Sequence, residues 1–133
     1  MKDKAYIMTT PCSGKTTFIG SHENEYKMLH LFDERTEFLP PHSCILGMSH
    51  KPDQEKYIYA IVLIDKEFLR AFSIKRKMID PDNAWTEELV FSHSTQGYHA
   101  IQRAAKEYNI PVFKTFEEAL DFVIVKMTEN EEE

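Results

Sequence analysis

The sequence is most easily read from what it has little of. It holds two cysteines, Cys12 and Cys44, with no C-x-x-C spacing between them. Neither a zinc module nor a disulfide framework is therefore expected. No apolar run approaches the roughly 20 residues that a membrane-spanning helix needs, so no membrane partner is expected. Met1-Lys2-Asp3-Lys4 leads directly into a strand-like run. A secretory leader would show an apolar stretch of about 7–15 residues there, so the expected location is cytoplasmic. Positive charge is in deficit, with 16 basic against 22 acidic residues and a net charge of −6. That balance argues against indiscriminate binding to nucleic acid or an anionic surface, and leaves room only for a local basic pocket. Internal repeats and interdomain linkers are also missing.

What remains is the composition of a globular protein. Hydrophobic residues make up 42% of the 133 and aromatics 12%, which is enough to bury one core. The reading is a single domain over 1–128 followed by an acidic tail at 129–133.

The chain is organised around residues 5–18, A-Y-I-M-T-T-P-C-S-G-K-T-T-F. Ala5, Tyr6, Ile7 and Met8 form a short apolar run suited to a buried parallel strand. Pro11 and small polar residues interrupt it, and Gly14-Lys15-Thr16 open a helix. Strand, tight loop and G-K-[ST] at a helix start is the context of a phosphate-binding P-loop. There, backbone N–H groups of the loop and first helical turn point at phosphate oxygens. Gly14 allows close approach of the backbone, Lys15 reaches the β- and γ-phosphates, and Thr16 offers a hydroxyl to Mg²⁺. Pro11, Cys12, Ser13 and Thr17 complete the expected binding loop. One position departs from G-x-x-x-x-G-K-[ST]: Thr9 stands where glycine belongs, and a β-branched residue does not readily take a positive φ.

Further along, a short helix ends near Gly20, and 26–32 reads as a second strand closed by Asp33. A carboxylate at the carboxyl end of a strand lies where open α/β sheets place their chemistry. Asp33 also suits a helix cap before Glu34, and the two roles are compatible. Pro40-Pro41 breaks the chain before a third strand over 43–47. His50 follows in a loop, where histidine is usually solvated but can contact a ligand. Residues 57–64 form an almost unbroken apolar run, expected to be central and parallel. Asp65 reads as the cap of a helix from Lys66 rather than as a metal ligand. Lys75, Arg76 and Lys77 complement the dipole at that helix's end, and Arg70 and Arg76 have the guanidinium that grips phosphate bidentately. A long helical stretch over 84–108, divisible at Gly97, precedes a short strand over 109–113. Pro111 marks that strand as an edge. Thr115-Phe116-Glu117-Glu118 is a capping box, and Phe116, Ala119, Leu120, Val123 and Met127 share one face of the last helix.

T-x-P-C-S-G-K-T-T near the N-terminus resembles the small P-loop kinase-like proteins common in bacteriophage genomes, relatives of nucleoside monophosphate kinases and polynucleotide kinase. N-I-P-V-F followed by T-F-E-E-A-L is similar to their last strand and helix. K-R-K-M-I-D-P-D-N-A-W resembles their lid, where an arginine, here Arg76, covers the phosphates. The resemblance implies an α/β, P-loop NTPase-like three-layer fold with a five-stranded parallel sheet in the order 2-3-1-4-5. It also implies ATP and Mg²⁺ as cofactors, Asp33 as the base that takes a proton from the acceptor, and the host cytoplasm as the location of a phage-encoded protein. The acceptor would be a nucleoside monophosphate or a 5′-hydroxyl nucleic-acid end. Two departures concern the acceptor and metal sides. Only residues 34–42 separate the second and third strands, a reduced acceptor region, and the third strand ends in Gly47-Met48-Ser49 with no carboxylate. The expected activity is phosphoryl transfer from ATP, with Lys15 and Arg76 neutralising charge; the alternative is a non-catalytic nucleotide- or protein-binding protein on the same fold.

Overall fold

The structure is a computed structural model that describes residues 3–10, 15–33, 39–47, 51–63 and 87–132, with the backbone alone at 15, 16, 87–95 and 130–132. Among the described residues nine elements follow one another. They are β1 (Lys4–Thr9), α1 (Lys15–Ser21), β2 (Glu25–Tyr26), β3 (Leu29–Asp33), β4 (Ser43–Gly47), β5 (Ile58–Val62), α2 (Glu87–Tyr108), β6 (Val112–Phe113) and α3 (Phe116–Glu132).

The strands form one sheet in the order β2-β3-β4-β1-β5-β6. All neighbours are parallel except β2 and β3, which pair antiparallel. The fold is therefore α/β with a mixed, mostly parallel sheet of six strands. The expected five-stranded, wholly parallel sheet in the order 2-3-1-4-5 is corrected on count and order. The cause is local. The stretch over 26–32 does not stay one strand, because Lys27 takes a left-handed φ of 52° and folds Tyr26 back beside Leu29. Glu23 and Asn24, at φ 54° and 63°, have already reversed the chain after α1. The run over 57–64 does supply a strand beside β1, with Ala5 opposite Ile58 and Thr9 opposite Val62.

The pleat sorts the core into two faces. Ala5, Ile7, Cys44, Leu46, Ile58, Ala60 and Val62 pack with Ile19 of α1 and with Phe116, Ala119, Leu120, Val123 and Met127 of α3. Tyr6, Met8, Ile45, Tyr59 and Ile61 pack on the opposite side with Ile101 of α2. Helices thus cover both faces. The α3 residues are those whose spacing predicted a buried stripe, and burying each such large apolar side chain contributes about 1.5–3 kcal/mol.

Helix ends follow from local chemistry. Thr115 Oγ accepts from the Glu118 N–H at 3.2 Å and donates to the Glu118 carboxylate at 3.1 Å, so the capping residues engage each other. The continuous α2 runs through Gly97, so the expected division there does not occur. It ends at Asn109, whose φ of 54° lets the Ile110 N–H reach the Ala105 carbonyl at 3.0 Å. The helical backbone of α3 continues to Glu132, into the segment read as an acidic tail. Glutamate is a good helix former, and Lys126 pairs with Glu129 at 3.4 Å one turn away. Among the described residues no helix is long and apolar enough to cross a membrane.

Candidate functional site

Parallel strands deliver their carboxyl ends to one edge of the sheet, and the candidate residues are sorted by how close they come to it. At its centre β1 ends at Thr9, flanked by β4 and β5. Thr9 is paired in the ladder opposite Val62 and is not among the residues with positive φ. The expected conflict at the missing glycine does not arise, because the strand continues through that position with extended backbone. Residues 10–14 connect β1 to α1, which opens at Lys15 with Thr16 and Thr17 in its first turn. No acidic residue lies in that turn. The first-turn N–H groups of a helix have no intrahelical partner, and this turn contributes no carboxylate of its own to them. Thr17 is exposed.

Asp33 is the last residue of β3 and is exposed. It stands opposite Leu46, which stands opposite Ile7, so Asp33 lies two residues short of the level of Thr9. Strand alternation places it on the face of Leu29 and Leu31, the side that α1 covers. The fold therefore brings the start of α1, the end of β1 and Asp33 to one edge and one side of the sheet. Pro11, Cys12, Ser13, Gly14, His50, Asp65, Arg70 and Arg76 lie outside the described residues.

Sequence reasoning missed what the end of β1 holds. Thr9 and Thr10 are both 0% exposed, and neither hydroxyl has a hydrogen-bond partner among the described residues. An unsatisfied buried hydroxyl costs about 1–3 kcal/mol, and native structures rarely leave one without reason. The signal was present, since two hydroxyl residues end an otherwise apolar central strand.

Cys44 is fully buried in β4, and burial pushes its thiol well above the ordinary range, so it is no nucleophile at neutral pH. Tyr59 accepts from the Asp53 N–H at 2.9 Å, and burial raises its phenol above the usual value. On the surface Asp121 of α3 accepts from Lys27 at 2.7 Å and from the Tyr26 hydroxyl at 3.2 Å. Among the described residues no three His, Cys, Asp or Glu side chains converge as a metal site.

Compared with protein-family models, with curated proteins and with solved structures, the chain gives no match.

Proposed function

We propose that the protein is an ATP- and Mg²⁺-dependent phosphotransferase that binds nucleotide phosphates in a P-loop and transfers the γ-phosphoryl group to a nucleotide or to a 5′-hydroxyl nucleic-acid end. The observation that carries this reading is Lys15-Thr16-Thr17 at the start of the helix that follows the central parallel strand. A first turn without carboxylates suits an anion, and the donor types in P-C-S-G-K-T-T suit a polyphosphate. Pro11 to Thr17 would hold the phosphates, with Arg70 beside them. Bound Mg²⁺ would withdraw charge from the phosphates, and Thr16 would be its protein ligand. Lys15 and Arg76 would balance the charge that spreads over the transferring group. Asp33, at the same edge, would accept the proton of the attacking hydroxyl. Phosphoryl transfer asks mainly for positioning and charge stabilisation, which these residue types supply.

A second reading is favoured by one specific feature, the short connection over 34–42 between β3 and β4. It leaves little chain to hold an acceptor, as in a protein that binds nucleotide or a protein partner without turnover. Purified protein incubated with γ-labelled ATP, nucleotides and 5′-hydroxyl oligonucleotides distinguishes the two. Label transfer supports the enzyme; nucleotide binding without transfer supports the binder. Lys15→Ala should weaken ATP binding by at least ~1.5 kcal/mol, the lower range for a charged hydrogen-bond partner. Unchanged affinity in calorimetry would remove the P-loop from both readings.

A further inference from the structure

We draw no further inference here: the strongest candidate, the half-buried ring cluster of Phe18, His22 and Tyr26 that packs on Phe116 where α1 and the β2–β3 hairpin meet α3, carries none, because nothing among the described residues shows what covers it.

Discussion

The two ends of the parallel sheet treat buried hydroxyls in opposite ways. Among the described residues three polar side chains are buried, Ser43, Thr9 and Thr10, each at 0% exposure. Ser43 opens β4 at the amino edge, opposite Lys4, and its hydroxyl donates to the Pro40 carbonyl. The same edge is tied further by the His42 N–H to the Asp3 carbonyl at 2.8 Å and the His30 N–H to the His42 carbonyl at 2.9 Å. Thr9, which closes β1 at the carboxyl edge, and Thr10 beyond it have no such partner among the described residues. Equal burial with unequal satisfaction separates the two ends of the sheet. That is the asymmetry expected where strands deliver chemistry at their carboxyl termini.

The largest effect expected from this asymmetry is at Asp33, on the carboxyl edge. Asp33→Asn keeps the shape and the capping ability of the residue but lowers its basicity. If the carboxylate takes the acceptor's proton, phosphoryl transfer should fall by roughly 10²–10⁴-fold, while ATP affinity in calorimetry barely moves. Persistence of full activity in the asparagine variant would reduce Asp33 to a cap. The comparison of edges would then lose its catalytic side.

A smaller effect, of opposite sign at the two ends, is expected in stability. Ser43→Ala removes the donor to Pro40 and should cost about 1 kcal/mol, the usual net worth of one hydrogen bond. It should lower the urea midpoint with an unchanged slope. Thr9→Val should leave the midpoint where it is or raise it, because the hydroxyl it removes is bonded to nothing described. A neutral Ser43→Ala together with a destabilising Thr9→Val would erase the distinction.

Much of this frame is legible from pattern alone, and the exceptions share a cause. The strand Ser43–Gly47, the pairing of β5 with β1 and the buried stripe of α3 all follow from apolar periodicity, which reports burial directly. The capping residues Thr115 and Glu118 are equally local. The split of the second strand was not legible, because the reversal at Lys27 uses neither glycine nor proline and lies inside a strand-like stretch. Continuity through Gly97 was hidden for the complementary reason. The packing of Ile101 and Ala104 in the following turns outweighs a propensity cost of about 1 kcal/mol. At the site, Gly14, Lys15 and Thr16 carry a spacing that sequence displays. That the Thr9 and Thr10 hydroxyls lack a partner among the described residues depends on how the chain packs around the end of β1. No single stretch of sequence contains that information.

The smallest expected effect lies away from both ends, where Lys27 and Tyr26 meet Asp121. The side chains of Lys27 and Asp121 are 59% and 51% exposed, so water and salt screen their attraction despite the 2.7 Å contact. The hydrogen bond from Lys27, followed by that from Tyr26, lowers the Asp121 carboxyl below its usual range. Its contribution to stability is therefore complete above the unfolded carboxyl pKa and is lost as pH falls through the lower folded value. The Lys27 ammonium is shifted the other way, upward, first through the hydrogen bond to Asp121. Its share is complete below the unfolded lysine pKa and is lost only as pH rises through the folded value. Between those limits the pair is fully formed, and Asp121→Asn should displace the neutral-pH melting temperature only slightly, by less than Ser43→Ala does. The displacement should shrink further in high salt and vanish at acid pH, where wild type is itself protonated. A variant that loses as much stability as Ser43→Ala, at any ionic strength, would mean that the clasp between the β2–β3 turn and α3 holds the sheet edge as firmly as a buried hydrogen bond. In that case burial would not be what sets the two ends of the sheet apart.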